Sequence, residues 1–460
     1  VADQATAQEF DILVLGGGSG GYATALRAVQ LGLTVGLVEK AKLGGTCLHN
    51  GCIPTKALLH SAEVADHARD GAKYGVNVEL QSIDMNAVNA YKDGIVAGKF
   101  KGLQGLIKGK GITVIEGEGK LTAPDTITVN GTAYKGKNIV LATGSYSRSL
   151  PGLEIGGRVI TSDQALTMDY VPKSVIVLGG GVIGVEFASV WKSFGVDVTI
   201  VEGLPSLVPN EDASIIKVLE RTFKKRGIKF NTGTFFQGVE QDNDGVKVTL
   251  VDGKTFEADL LLVAVGRGPS TAGLGFEEAG VTVDRGFVIT NERLHTGVGN
   301  VYAVGDIVPG VQLAHRGFQQ GIFVAEEIAG LKPVVVDDIN VPKVTFCDPE
   351  IASVGYSEKA AKEKFGEDRV ESTEYNLAGN GKSAILGTGG IIKFVREKDG
   401  PVVGVHMIGT RVGEQIGEAQ LIVNWEAYPE DVAGLIHAHP TQNEALGEAA
   451  MALAGRPLHG

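Results

Sequence analysis

Residues 10–40 read FDILVLGGGSGGYATALRAVQLGLTVGLVEK. Phe10 to Leu15 is a short apolar run of the kind that parallel sheets bury on both faces. Gly16, Gly18 and Gly21 follow as G-x-G-x-x-G and open an alanine-rich helix that stops near Gly32. A second strand, Thr34 to Val38, ends on Glu39. The first glycine permits a tight turn, the second lets the backbone approach a pyrophosphate, and the third lets helix and strand pack closely. The pyrophosphate then rests on the helix N-terminus, and Glu39 can accept from a ribose hydroxyl. Any glycine-rich turn can imitate the three glycines alone. With strand, helix, second strand and acidic end in place, the stretch reads as a dinucleotide site.

The pattern restarts at residues 174–202, SVIVLGGGVIGVEFASVWKSFGVDVTIVE. Gly179, Gly181 and Gly184 repeat the fingerprint, and Gly179 stands as far from Glu202 as Gly16 does from Glu39. Two copies of one supersecondary unit mean two dinucleotide sites, since one site needs only one fingerprint. The second copy ends Glu202-Gly203-Leu204, with no nearby arginine to take a 2′-phosphate, which favours NAD over NADP.

Around these two units the chain supplies strands that run into glycine turns: NIVLATGS at 138–145 and NVYAVGDI at 300–307. Residues 60–135 carry one long helical reading with interruptions, from Asp84 onward as MNAVNAYKDGIVAGKFKGLQGLIKG. ITVIEGEGKL and TITVNGTAY read as an antiparallel meander. Gly245 to Leu250 and Thr255 to Val265 read as strands completing the second unit, and a helix is expected from about His315 to Ala329. From about 346 the composition shifts to a last domain of mixed strands and helices.

Two of the three cysteines, Cys47 and Cys52, lie in LGGTCLHNGCIPTKALL (43–59). They are close enough to oxidise to a small ring, and Cys52 precedes a helical run, where the helix N-terminus favours a thiolate. On residues alone, a small structural disulfide or two unrelated buried thiols remain open. Cys347, alone in an apolar run, reads as a small buried hydrophobe, and His49 as a solvated loop residue. In the tail, HAHPTQNEALGEAAMALAG (437–455), Thr441-x-x-Glu444 reads as a capping box. His439 is there a modest acid–base candidate, its backbone extended by the following Pro440.

The whole composition suits such an architecture. At 460 residues the chain is long enough for about three domains. Its 66 glycines fit many strand-to-helix turns, and its net charge of −12 argues against nucleic acid or an anionic membrane as partner. No apolar run is long enough for a membrane span. The start lacks the basic and apolar regions of a signal peptide, and three cysteines are no secreted disulfide framework. No metal site is expected.

In order, the dinucleotide fingerprint, C-x4-C, ATGS, second fingerprint, VGR, VGD and H-x-H-P-T-x-x-E resemble the class I pyridine nucleotide-disulfide oxidoreductase flavoproteins along essentially the whole chain. Within that family, GGTCLHNGCIPTKALL and HAHPTQNE are similar to the members that oxidise dihydrolipoamide. The resemblance implies an α/β fold of two Rossmann-like domains, for FAD and NAD, plus a C-terminal α+β dimerisation domain. The expected divisions are 1–150 for FAD, 151–279 for NAD, 280–345 completing the FAD domain, and 346–460 at the dimer interface.

The resemblance also implies roles for particular residues. Gly16, Gly18, Gly21, Glu39 and Lys40 would hold FAD, with Gly45, Thr46, Gly119, Thr143, Gly144, Ser145, Asp306, Leu313, Ala314 and His315 in further contact. Gly179, Gly181, Ile183, Gly184, Glu202 and Gly266, with neighbouring Arg267, would serve NAD. Cys47 would exchange with substrate, and Cys52 would face the flavin. Lys56 would lie beside the flavin, paired with Glu186. His439 and Glu444 would form an acid–base dyad serving the other subunit of a homodimer. The implied partners are lipoyl domains and the core acyltransferase of 2-oxo acid dehydrogenase complexes, or the lipoylated carrier of glycine cleavage. The compartment would be the cytoplasm, or the mitochondrial matrix in a eukaryote. A glutathione-type reductase, a mercuric reductase and a non-catalytic FAD/NAD-binding subunit are the alternatives. The first would want basic residues after the second fingerprint, and the second a vicinal cysteine pair at the end of the chain. Retention of both cysteines, His439 and Glu444 weighs against the third.

Overall fold

The computed structural model describes residues 8–459, which form two compact units. The first unit takes in the described residues up to Ala57, Asn86–Arg148 and Arg267–Asp338. Its sheet has seven strands. Thr113–Glu116, Val35–Glu39, Gln8–Leu15, Thr132–Leu141 and Val301–Ala303 run parallel, in that order. Thr126–Val129 and Gly119–Ala123 add an antiparallel edge to Thr132–Leu141.

Strand side chains alternate between faces, and the apolar run at 12–15 accordingly feeds two cores. Ile12 and Val14 join Ala25, Ala28, Val140 and Phe323 on one face, while Leu13 and Leu15 join Val38, Ile127 and Leu141 on the other. Helices Ser19–Gln30 and Ala314–Ile328 cover the first face. They meet at glycine, because a Cβ on Gly321 would stand 2.3 Å from the Gly20 carbonyl oxygen. Arg27 and Glu326 pair across them at 2.6 Å.

One expectation fails here. Thr113–Glu116 is no part of an antiparallel meander; it pairs parallel with Val35–Glu39, and only Gly119–Ala123 and Thr126–Val129 form the hairpin. Gly117, at φ +140°, breaks the run between the two strands.

The second unit takes in Leu58–Met85, Ser149–Gly266 and the residues from Ile339 onward. Its five-stranded parallel sheet has the order Lys229–Thr232, Asp197–Glu202, Ser174–Leu178, Leu260–Val263, Val159–Thr161. Thr255 to Val265 is two strands: Thr255–Ala258 belongs to a three-stranded antiparallel sheet and Leu260–Val263 to the parallel one.

The C-terminal part is an antiparallel sheet of five strands, ordered Lys343–Thr345, Glu350–Gly355, Val402–Gly409, Ile391–Glu397, Val370–Asn376. Helices Val412–Asn424 and Glu444–Leu453 share its core through Val412, Ile416, Ala419, Ala445, Leu446 and Ala449. Among the described residues, no helix is long and apolar enough to cross a membrane.

Candidate functional site

The two fingerprints fold into the same local structure. Gly16 has φ +107° and Gly179 +109°, where a side chain would be strained. A Cβ on either would lie 2.3 Å from a backbone oxygen, of Ala142 and of Ala264 respectively. Gly21 and Gly184 leave less room still, with Cβ positions 1.8 and 1.9 Å from the carbonyl oxygens of Gly16 and Gly179. Gly18 and Gly181 are extended N-caps without side-chain caps, so no cap side chain occupies the N-termini of Ser19–Gln30 and Val182–Ser193, where helix amides favour an anion.

The acidic ends also match. Glu39 accepts from Gly17 N–H (2.7 Å) and Ala41 N–H (2.8 Å), and Glu202 from Gly180 N–H (2.6 Å) and Leu204 N–H (2.8 Å). Each carboxylate is thereby aimed, with lone pairs left for ribose hydroxyls. Both loops therefore fit a dinucleotide. Ile183 is half-buried in the second helix, and Lys40 is exposed 3.8 Å from Glu118.

The cysteine segment is built onto the first loop. Gly44 N–H donates to the Gly17 carbonyl (2.8 Å), and a Cβ on Gly45 would stand 2.7 Å from the Gly18 Cα. Thr46 and Cys47 lie in the short helix Gly45–His49, and Cys52 opens helix Cys52–Asp70. Thr55 ties that helix start to the Gly51 carbonyl through its N–H (3.0 Å) and hydroxyl (2.6 Å).

Cys47 and Cys52 are half-buried thiols that are not joined in a disulfide. The Cys52 side chain, hydrogen-bonded to Cys47, pushes the Cys47 thiol far up; burial adds to this and Lys56 opposes it. Of the pair, Cys47 is thus the one held as a thiol, while Cys52 opens a helix, a position that favours a thiolate.

Two neighbours depart from the sequence reading. His49 is not a solvated loop residue: its Nε2 contacts the Leu43 carbonyl at 2.9 Å and its ring packs edge-on against Phe100. Tyr22 was not singled out, yet burial and then the charges of Cys47 and Cys52 push its phenol up to about 12. Its only sequence signal is its place in the first turn of the fingerprint helix.

Further along the first unit, Ser145 Oγ donates to Asp306 (2.5 Å) and accepts from Arg267 Nε (2.8 Å), while Arg267 also donates to the Ser145 carbonyl (2.8 Å). Arg267 therefore joins Ser145 and Asp306, whereas Gly266 belongs to the second unit. Thr143 donates to the Ser270 carbonyl (2.6 Å), and Gly144 turns the chain at φ +73°. Leu313 caps helix Ala314–Ile328 with backbone only, leaving Ala314 and His315 in its first turn. Gly119 is buried where a Cβ would meet Leu15 at 2.6 Å.

In the second unit, Glu186 is buried on helix Val182–Ser193 and accepts from Phe346 N–H (2.9 Å). The neighbouring Cys347 is buried as expected, its thiol pushed up by burial and donating to the Pro349 carbonyl.

His439, with a side chain 77% exposed, meets Glu444 at 2.8 Å through Nδ1. The other Glu444 oxygen accepts from Thr441 N–H (2.7 Å). Burial alone would raise the Glu444 carboxyl, but the Thr441 amide and the His439 ring hold it below its ordinary value. Only half of the expected capping box forms. The Thr441 hydroxyl turns away to the Ala438 carbonyl (2.7 Å), and helix Glu444–Leu453 has Asn443 at its cap without a side-chain bond.

Two nucleotide cradles, a thiol pair seated on one of them and an imidazole–carboxylate pair define a class of two-nucleotide thiol-redox proteins. Comparison with known proteins agrees. The pyridine nucleotide-disulphide oxidoreductase model matches residues 10–321, and the dimerisation domain of the same family matches 341–450. This chain belongs to the pyridine nucleotide-disulphide oxidoreductases.

Among its relatives is the mitochondrial dihydrolipoyl dehydrogenase of Pisum sativum, 41% identical over 98% of this chain and 93% of the relative. Another is the dihydrolipoyl dehydrogenase of Bacillus subtilis, 40% identical over 98% of this chain and 100% of the relative. The crystal structure of LpdA from Mycobacterium tuberculosis superposes with a TM-score of 0.89 at 26% identity, covering 97% of this chain and 100% of that one.

Proposed function

We propose that this chain oxidises protein-bound dihydrolipoamide to lipoamide with NAD+ as acceptor, using FAD and the Cys47–Cys52 pair. The observation that carries the reading is the thiol pair, hydrogen-bonded together and joined through Gly44 and Gly45 to a dinucleotide loop. Residues 1–150 and 280–345 would hold FAD, 151–279 NAD, and 346–460 the dimer interface. When bound in the first cradle, FAD would supply the two-electron chemistry that links the cysteine pair to NAD+.

The chain's own residues handle thiols and protons. His439 takes a proton from a substrate thiol as a general base. The thiolate attacks the Cys47 sulfur of the oxidised pair, forming a mixed disulfide and releasing Cys52 as thiolate. The second substrate sulfur then attacks the first, closing lipoamide and freeing Cys47. Glu444 orients the imidazole and stabilises its cation. Lys56 favours charge on the cysteine pair. Gly266 and Ile183 serve the NAD cradle, while Ser145 and Asp306 serve the FAD cradle, Ser145 accepting from Arg267.

The exposure of His439 suits a group offered to the cysteine pair of a partner subunit. The lipoyl group would arrive on the lipoyl domain and core acyltransferase of a 2-oxo acid dehydrogenase complex, or on the glycine-cleavage carrier. The compartment would be the bacterial cytoplasm or the mitochondrial matrix.

A single comparison tests the reading. The FAD-loaded protein should reduce NAD+ with free dihydrolipoamide and fail to reduce glutathione disulfide with NADPH. The opposite pattern would assign it to the glutathione-type branch.

A further inference from the structure

The dyad stands on an irregular segment, and what holds that segment has no local sequence signature. Residues 437–443 lie outside any helix or strand. Three side chains anchor the residues after Pro440. Asn443 donates to Glu418 (2.6 Å), Gln442 to the Thr410 carbonyl (2.7 Å), and Asn380 Nδ2 to the Thr441 carbonyl (2.9 Å).

Asn380 differs from the other two in what it holds. Thr441 is the residue whose N–H fixes Glu444, so its peptide planes bear directly on the dyad. Asn380 is 4% exposed and its carboxamide is spent at both ends. Oδ1 accepts from Ser383 N–H (2.9 Å) and the Ser383 hydroxyl (3.1 Å), capping the short helix Gly381–Ile385. That leaves Nδ2 with a fixed direction toward Thr441. The next residue, Gly381, lies beside the imidazole: a Cβ there would stand 3.9 Å from His439 Cε1.

We propose that Asn380 is a positioning residue of the His439–Glu444 dyad, holding the Thr441 carbonyl and thereby the Thr441 N–H that aims Glu444 at the imidazole. The inference rests on the dyad reading above. Without the Nδ2 bond the segment relaxes, Glu444 loses one of the two groups that aim it, and the imidazolium loses support from its carboxylate. A buried amide that caps one helix and orders a catalytic loop also explains why no local motif joins Asn380 to Thr441, 61 positions away.

The test uses the FAD-loaded protein in four variants: Asn380→Asp, Asn380→Ala, Ser383→Ala and His439→Gln. Two reactions are followed across pH: NAD+ reduction by dihydrolipoamide, and ferricyanide reduction by NADH, which needs no thiol deprotonation. Both Asn380 variants should lose thiol turnover by about tenfold, the scale of one lost buried hydrogen bond. The ascending limb of kcat/KM should move to lower pH, because a less stabilised imidazolium loses its proton earlier. Ferricyanide turnover and FAD content should stay at wild-type values.

Ser383→Ala weakens only the capping side and should keep the wild-type pH profile. An unchanged profile in both Asn380 variants overturns the proposal. So does a parallel loss of both reactions in Asn380→Ala and Ser383→Ala, which would make Asn380 a cap alone. His439→Gln separates the levels. If it keeps full thiol turnover, the dyad reading fails; if it is defective while the Asn380 variants are normal, only the present inference fails.

Discussion

Cys47 and Cys52 are chemically unequal although five positions apart. Cys52 begins a helix whose N-terminal amides favour its thiolate, while Cys47 is held as a thiol by hydrogen bonding to Cys52 and by burial. In the reduced, FAD-loaded protein, Cys52→Ser should therefore abolish any long-wavelength thiolate–flavin absorption, and Cys47→Ser should retain it. Equal spectra from the two variants would undo the assignment. At His439 the expectation is a split: His439→Gln should cut thiol turnover by about 10²–10⁴-fold, the range of general-base catalysis. NADH should still reduce the flavin at close to the wild-type rate. Stopped-flow of the two half-reactions checks this.

At the level of elements, the paired fingerprints give a symmetric prediction. A methyl at Gly21 or Gly184 would overlap the carbonyl of the first glycine of its own loop. Gly21→Ala should yield protein without FAD, and Gly184→Ala should yield yellow protein with a KM for NAD+ raised by at least about tenfold, as oxidised-flavin absorbance and steady-state kinetics report. These sites were legible because each is local: three glycines, one helix and one acidic residue within a single supersecondary unit.

What escaped the sequence is non-local. The strand at 113–116 is chosen by pairing with residues some eighty positions earlier, and the alternating pattern of its segment could not distinguish that from a hairpin. His49 packs on Phe100, Arg267 reaches back to Ser145, and Asn380 reaches forward to Thr441. None of these partners is encoded by spacing. The half-formed capping box at Thr441–Glu444 shows a local motif overruled: Glu444 accepts from the Thr441 amide, but the Thr441 hydroxyl bonds the Ala438 carbonyl in place of a helix amide.

A second element-level case is the buried lysine of the C-terminal sheet. Lys393, 4% exposed, donates to Asp212 (3.0 Å) and pairs with Glu358 (2.7 Å). Asp212 also caps helix Ala213–Arg226. Glu358 is held at about 2, against an ordinary 4.5, by Lys393 first and then Lys362. A carboxyl depressed on folding contributes stability that is full above about 4.5 and is lost as pH falls toward 2. Lys393→Met should thus cost about 3 kcal/mol near neutral pH, the scale for breaking a buried pair, and less at pH values near 3. Denaturant unfolding at the two pH values measures the difference.

For the whole molecule, the family's dimerisation domain spans 341–450, and the stretch from Leu421 to Ile436 exposes Leu421, Trp425, Tyr428, Leu435 and Ile436. Ile436 is wholly exposed and stands three residues before His439. Apolar surface of this kind marks an association face. Ile436→Glu should shift the protein toward monomer in sedimentation and reduce dihydrolipoamide turnover in proportion, while each monomer keeps its FAD. A monomer with full thiol turnover would refute the shared site.

The central claim is that one chain joins a thiol pair, a flavin and a nicotinamide for dihydrolipoamide oxidation. Its most direct test is NADH formation from NAD+ and dihydrolipoamide by purified protein of known FAD content. The wild type should turn over, and Cys47→Ser, with the same FAD content, should not. Absence of turnover in fully FAD-loaded wild type, or undiminished turnover in Cys47→Ser, would contradict the account.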